Sequence, residues 1–134
     1  MKSPKAAARP PIHMLEEEAE KLSNLAISVE ERLPQVSELL LGEIDRAKLH
    51  KAGRIDKDVV TMNATVDFVD SATGAERRVQ LVYPPEADIA AGRISILTPI
   101  GAGLIGLKTG QSILWPDREG RTRMLEIRRV EQAA

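Results

Sequence analysis

The sequence contains no cysteine and only three aromatic residues in 134 positions. The lack of cysteine excludes disulfides, thiolate nucleophiles and sulfur-ligated metal sites, and it is compatible with a reducing cytoplasm. Phe68, Tyr83 and Trp115 are the aromatic side chains. We therefore expect a core of Val, Ile, Leu and Met, with little material for an aromatic-lined pocket that binds a small molecule.

Long apolar runs are also missing. No stretch approaches the roughly 20 apolar residues that a membrane-spanning helix needs. The first eleven residues carry Lys2, Lys5 and Arg9 among alanines and prolines, and no apolar segment of a secretory signal follows them. Residues 1–11 are therefore predicted to be a flexible tail, and the chain is expected to be cytoplasmic and to make no contact with a membrane.

The formal net charge is only −1, but the charges are unevenly distributed. Residues 12–52 carry nine acids and five bases, a net charge of −4, whereas residues 53–134 carry eleven of each. No basic face is strong enough to predict binding to a phosphate backbone from charge alone. Direct sequence-specific binding of nucleic acid is therefore not expected.

Two helices are predicted between residues 12 and 52. Apolar side chains recur at alternate spacings of three and four, which indicates a helix with a heptad-like seam. The seam residues are Ile12, Leu15, Ala19, Leu22, Ala26, Val29 and Leu33. Pro34 ends this helix and suits the first turn of a second one, which is predicted to reach Leu49 and to end before Gly53. Two apolar stripes joined by a tight turn predict an antiparallel helical hairpin, a short coiled coil.

The pattern changes to a period of two from Val60 to Phe68, which predicts a half-buried strand. A turn over residues 70–74 leads to a return strand that ends at Tyr83. Later strands are predicted at residues 94–97, 112–115 and 121–130, with a short helix at 100–104 that Thr98 caps and Pro99 begins. The predicted fold class is therefore α+β: a helical hairpin, then from residue 53 an antiparallel sheet domain with one short helix.

Few residues carry an obvious chemistry. The glycine block 101–106 has the letters of a dinucleotide-binding loop, but it lies outside any βαβ unit, and close packing of a helix on the sheet explains it better. His13 and His50 can meet at the open end of the hairpin, yet two imidazoles alone make a weak metal site. Glu30 and Glu31 point about 100° apart on a helix. No serine or threonine has a candidate base, so we predict no catalytic residue, no metal and no cofactor.

Four segments, taken in order, resemble one known family. They are Glu43–Ala47, Asp58–Ala64, Leu81–Pro84 and Ile94–Gly110. Together they closely resemble the Gre/Rnk family of RNA-polymerase-binding factors over most of residues 12–132. The "regulator of nucleoside diphosphate kinase" (Rnk) branch is the best match. The ordered combination of D-V-V-T-M-N, L-V-Y-P and T-P-I-G-A-G-L-I-G-L is specific, whereas the glycine block alone would not be.

The resemblance implies a fold and a partner. In this family the C-terminal domain is FKBP-like and docks on the bacterial RNA polymerase core near its secondary channel, into which the helical hairpin points. The segment that matches the region used by Gre factors to grip the polymerase is expected to dock here: Thr98, Pro99, Ile100 and Gly101. The hairpin tip is the second expected contact, at Glu30, Glu31, Leu33, Pro34 and Gln35.

The predicted tip departs from the Gre pattern. Gre factors hold a metal ion at an acidic D-x-x-E motif on a longer hairpin and so stimulate cleavage of backtracked RNA, but no such motif occurs around residues 30–35. The resemblance therefore implies a non-enzymatic regulator that competes with Gre factors without stimulating cleavage. Any effect on nucleoside diphosphate kinase levels would be indirect, through transcription. A self-contained hairpin also predicts a monomer.

Two other functions stay open. The FKBP-like fold that the resemblance implies admits peptidyl-prolyl isomerase activity, although three aromatic residues supply little of the apolar wall that desolvates the prolyl bond. Alternatively, the heptad seam could pair with another chain, which would make the protein an interaction module with no role at the polymerase. The molecular mass in solution distinguishes such pairing from a hairpin that folds on itself.

Overall fold

A computed structural model describes residues 9–133 of the chain. Helices and two short strands come first, and a five-stranded sheet with a short helix follows. In chain order the elements are β1 His13–Leu15, α1 Glu16–Ser28, α2 Pro34–Arg46, β2 Lys48–His50, β3 Thr65–Asp70, β4 Ala75–Val82, β5 Arg93–Ser95, α3 Pro99–Leu104, β6 Ser112–Pro116 and β7 Thr122–Glu131, with single 3-10 turns at Pro84–Glu86 and Ile89–Ala91. The α+β class is confirmed.

The prediction for the first helix is wrong at both ends. Residues 13–15 form β1, which pairs in parallel with β2, so α1 begins only at Glu16. It ends at Ser28, before the predicted Leu33. Although this segment is a strand and not a helix, it still buries the apolar side chain of Met14, the middle residue of β1. The spacing of apolar residues could not show this strand, because its partner lies far along the chain.

The second helix also ends earlier than predicted, at Arg46, because residues 48–50 form β2. The apolar seam nevertheless identified the buried side of α1, where Ala19, Leu22 and Ala26 are buried. Among the described residues no helix combines the length and the apolar character that crossing a bilayer requires.

The sheet is mixed, not antiparallel throughout as predicted. Its strand order is β5-β4-β3-β7-β6, and the β4–β5 pair is parallel while the other pairs are antiparallel. β3 begins at Thr65, so the alternating residues 60–64 lie outside the sheet. Val60 instead accepts a hydrogen bond from the Gly106 amide (2.9 Å) and donates one to the Leu107 carbonyl (2.8 Å). The alternation therefore indicated correctly that Val60, Met62 and Ala64 are buried, but Thr61 is buried as well, and these residues are not part of the sheet.

One hydrophobic cluster joins the helices to the sheet. It contains Leu22 of α1 and Leu40 of α2 together with Phe68 and Trp115 of the sheet. α1 and α2 pack on each other, and α2 also packs on α3. The two long helices therefore lie against the rest of the protein. The division of the chain into a hairpin and a sheet domain at residue 53 stays a prediction.

The segment before β1 is held by a buried ion pair. Residues 1–8 of the predicted tail lie outside the described residues, but Arg9 and Pro10 contact the folded part. Glu43 is 1% exposed and accepts two hydrogen bonds of 2.7 Å from the Arg46 guanidinium. Arg46 also donates to the Pro10 carbonyl (2.5 Å), and the Arg9 guanidinium lies 5.0 Å from the centre of the Trp115 ring. The contact with Arg46 of α2 therefore fixes the position of the backbone just before β1.

Candidate docking surface

The predicted docking residues form the beginning of α3. The Thr98 hydroxyl oxygen accepts a hydrogen bond from the Gly101 amide (3.1 Å), so it caps the helix as predicted. Pro99 and Gly101 are buried, and a Cβ atom at Gly101 would overlap the Ser95 carbonyl oxygen. These two residues therefore shape the fold, while Thr98 and Ile100 are half-buried and reach the surface.

The glycines of this block allow α3 to lie close to the sheet. A Cβ atom at Gly103 would lie only 2.7 Å from Nε1 of the buried Trp115. The same Nε1 donates a hydrogen bond to the Pro99 carbonyl (2.6 Å), which fixes the first turn of α3. The prediction that the small residues serve close packing is therefore confirmed.

A largely apolar cavity of about 330 Å³ opens beside the beginning of α3. Its lining comes from residues 87–95, from α3 and from the turn between β6 and β7. Ile89 belongs to this lining and is 86% exposed, the largest exposure among the large apolar side chains of the described residues. The concave apolar surface next to the exposed isoleucine is therefore a candidate site for binding another protein or an apolar ligand.

Sequence reasoning missed Ile89 and the turn residues Asp117, Arg118 and Glu119. Ile89 is a large apolar residue inside the loop 86–92, and that isolated position is the signal that could have identified it. The turn residues carry no comparable signal, because only the folding of β6 and β7 brings them to the cavity.

An ion-pair chain underlies the turn side of the cavity. The Arg123 guanidinium lies 3.0 Å from a carboxylate oxygen of the buried Asp70 and 3.6 Å from one of Asp117. The other carboxylate oxygen of Asp117 accepts hydrogen bonds from the amides of Glu119 and Arg121, both 2.9 Å long. The base of the turn is thus fixed by charge pairing and by hydrogen bonds within the turn.

One residue of the predicted hairpin tip comes to the same place. The Gln35 side-chain amide donates a hydrogen bond to the Asp117 carbonyl (2.8 Å), so the joint between α1 and α2 touches the turn beside the cavity. The remaining tip residues are exposed or half-buried: Glu30, Glu31, Leu33 and Pro34. The two sets of predicted site residues therefore lie on neighbouring parts of the surface, a proximity that sequence reasoning did not anticipate.

The two histidines are in contact at the β1–β2 pair. Nδ1 of His13 lies 2.9 Å from Nε2 of His50, a hydrogen-bond distance. Burial lowers the pKa of His13 below 6.5, and the neighbouring His50 and Lys108 lower it further. Within residues 9–133 no three His, Cys, Asp or Glu side chains are grouped so that they could hold a metal ion. The pair is thus a hydrogen-bonded contact between strands.

Comparison with known families places most of this surface in one matched region. The sequence model of the family described as "Transcription elongation factor, GreA/GreB, C-term" matches residues 55–132, which is more than half of the chain. The matched region includes the cavity lining and α3.

Individual proteins are also similar to the chain. The "Regulator of nucleoside diphosphate kinase" of Escherichia coli K12 is 35% identical over 96 residues, which cover 72% of this chain and 71% of that protein. The "Transcription elongation factor GreA" of Azorhizobium caulinodans is 44% identical over 71 residues, 53% of this chain and 45% of that protein. A solved structure, "Prokaryotic transcription elongation factor GreA/GreB from Nitrosomonas europaea", has a TM-score of 0.70 and 33% identity, covering 90% of this chain and 99% of that one.

Proposed function

The chain belongs to the GreA/GreB family of transcription elongation factors, and we propose that it regulates transcription by binding the core of bacterial RNA polymerase. In this proposal it binds in the cytoplasm near the secondary channel of the polymerase and occupies a place that Gre factors also need. It has no catalytic activity of its own. An effect on nucleoside diphosphate kinase levels, which the name of the similar E. coli protein suggests, would follow from altered transcription.

The observation that carries the proposal is the cavity at the beginning of α3. It combines three isoleucines, Ile89, Ile94 and Ile100, in a largely apolar lining and lies within the region that matches the family. Burying one such side chain at an interface contributes about 1.5–3 kcal/mol, and a few side chains of this kind usually supply most of the binding energy. Ile89 and Ile100 are therefore the proposed anchors, and Thr98 holds the helix that carries Ile100.

Competition without stimulation of cleavage is supported by the chemistry of the helix joint. Glu30 and Glu31 are adjacent and exposed, and no D-x-x-E motif accompanies them. A divalent cation needs several oxygen ligands that converge on one point, whereas two successive residues of a turn diverge. We therefore propose that the protein blocks access of Gre factors and does not bring a metal ion to the catalytic centre of the polymerase.

Three further features belong to the same proposal. The sheet part is FKBP-like, the two long helices form an antiparallel hairpin, and the protein acts as a monomer. The joint residues Glu30, Glu31, Leu33 and Pro34 form a second, smaller contact with the polymerase, which their position on the surface permits.

A pull-down of purified core polymerase tests the proposed function. The tagged chain is expected to retain the core enzyme at low salt, at a level comparable with a Gre factor that is treated in parallel. A second arm adds untagged Gre factor in excess, which is expected to displace the polymerase from the tagged chain. If the Gre factor retains polymerase and this chain does not, the proposed function is wrong.

A further inference from the structure

The hydrogen bond between Gln35 and Asp117 links two parts of the chain that the sequence separates widely. Gln35 is the second residue of α2, and its side-chain amide donates to the Asp117 carbonyl at 2.8 Å in a half-buried position. Gln35 thus points towards the sheet, whereas Glu30 and Glu31 on the same joint are exposed. The hydrogen bond joins residues that are 82 positions apart in the sequence, so it links two separate elements and is not part of a local helix cap.

Asp117 is the first residue of the turn between β6 and β7. Its carboxylate accepts two backbone amides of the turn, and its carbonyl accepts the Gly120 amide at 3.0 Å. A carbonyl oxygen has two lone pairs, so the second is available for Gln35. The residues held in this way, Asp117 to Glu119, line the cavity that we propose as the docking site.

The turn is anchored from the sheet and from the helices. On the sheet side, the Arg123 guanidinium joins Asp117 to the buried Asp70. On the helix side the anchor is Gln35. Hairpin turns are otherwise mobile surface segments, and a mobile wall must lose conformational entropy when a partner binds.

We infer that Gln35 is a positioning residue for the docking cavity: it fastens the joint of the two long helices to the β6–β7 turn and so holds one wall of the cavity ready for the partner. The inference rests on the proposed function. In this inference the helices contribute to binding by holding the β6–β7 turn of the sheet part in place, and this role does not require them to extend into the channel.

The matched variants are Gln35→Glu, Gln35→Lys and Arg54→Gln. Gln35→Glu removes the donor and places a carboxylate beside a carbonyl oxygen, whereas Gln35→Lys keeps a donor that can reach the same oxygen. Arg54→Gln lowers the net charge by one unit, as Gln35→Glu does, at an exposed position outside both the joint and the cavity lining. It therefore controls for the change in charge.

The measurements are the affinity for core polymerase, the free energy of unfolding, and hydrogen exchange of the Gly120 and Arg121 amides. Losing one hydrogen bond should weaken binding by Gln35→Glu about 3- to 10-fold and speed up exchange in the turn. Gln35→Lys and Arg54→Gln should bind like the unmodified chain. A glutamate in the first turn favours the helix, so Gln35→Glu should not lose stability in step with its loss of binding. A purely structural role would make the two losses parallel.

A double-variant measurement separates the inference from the proposed function. If Gln35 acts through the cavity, Gln35→Glu should lose most of its effect once Ile100→Ala has already weakened docking. If Ile100→Ala weakens binding while Gln35→Glu changes neither the affinity nor the exchange of the turn, the inference is overturned and the proposed function stands. If the unmodified chain does not bind polymerase, both are overturned.

Discussion

Trp115 is the residue that fixes α3 to the sheet. Its indole is fully buried, and its Nε1 donates to the Pro99 carbonyl at 2.6 Å. Gly103, on the same helix, approaches the indole so closely that any side chain there would collide with it. Because Thr98 and Ile100 lie at the beginning of this helix, the placement of the proposed docking segment depends on the buried Trp115 and Gly103.

Gly103→Ala should therefore destabilise the protein. The added Cβ would lie 2.7 Å from Trp115 Nε1, closer than real Cβ contacts, so the indole or the helix must shift. Overpacking of this kind costs about 1–3 kcal/mol, which urea unfolding would measure as a fall in the free energy of unfolding.

Gly42→Ala is the matched control for that change. Gly42 lies in α2, is exposed, and has no atom within 4 Å of the position that a Cβ would take. Removing a glycine from a helix interior should stabilise the protein by about 0.5–1 kcal/mol. A Gly103→Ala protein that is as stable as the unmodified chain would contradict the packing that we describe.

Ile89→Ser should weaken binding to polymerase without changing stability. Ile89 is 86% exposed, so truncating it removes little that holds the fold together. If it anchors a partner, the loss of a buried apolar side chain should weaken binding about tenfold in a titration with core polymerase.

Leu49→Ser is the control, because Leu49 is 48% exposed on β2 and does not line the cavity. This variant should bind as the unmodified chain does. Equal losses from both variants would mean that general surface hydrophobicity, and not the cavity, determines binding.

At the scale of elements, the stability of the β1–β2 pair is expected to depend on pH. A hydrogen bond between two imidazoles needs a neutral ring at the accepting nitrogen. Burial is the main cause that keeps the pKa of His13 below 6.5 in the folded state. The neighbouring His50, Lys108 and Lys48 add to this lowering, while Asp56 opposes it. Between the folded pKa and 6.5 the unfolded chain therefore binds more protons than the folded one.

We accordingly expect the free energy of unfolding to fall as the pH is lowered from 7.5 through 6.5 towards the folded pKa of His13. Urea unfolding at several pH values checks this, with His13→Asn as the variant that lacks the titrating ring and should show a flatter profile. A stability that rises on acidification in this range, or an equal slope in His13→Asn, would contradict the assignment.

The elements that were predicted well from the sequence are those that are determined by residues close together in the chain. Pro34 begins α2 and Thr98 caps α3, because proline geometry and a hydroxyl cap act within one helical turn. The strands β3, β4, β6 and β7 follow alternation and turn residues, and they were also placed approximately. β1 and β2 were missed, because the residues of β1 continue an apolar helical spacing and their partner strand is recognised only in the folded chain.

The candidate site was predictable in part for the same reason. The segment that is proposed to dock was identified from a motif, yet two of its four residues, Pro99 and Gly101, are buried and shape the fold. Ile89 and the β6–β7 turn were missed, since a cavity depends on which loops tertiary folding brings together. The contact of Gln35 with Asp117 is of this kind too.

At the scale of the whole molecule, the two long helices share a core with the sheet. Leu22 and Leu40 belong to the same cluster as Phe68 and Trp115. Additional contacts join the parts at both helices, because Glu18 of α1 accepts the Met62 amide (3.1 Å) and Gln35 of α2 reaches Asp117. In the proposed function, a helix pair that is fixed in this way blocks an opening near the sheet domain and does not carry a metal ion into it.

Transcript cleavage in backtracked complexes is the measurement that tests the central claim most directly. Core polymerase paused on a template is treated with a Gre factor, with this protein, or with both. We predict no cleavage above background with this protein alone, and a dose-dependent loss of Gre-stimulated cleavage when it is added in excess. Stimulation of cleavage by the protein itself, or unchanged Gre activity at saturating protein, would contradict the account.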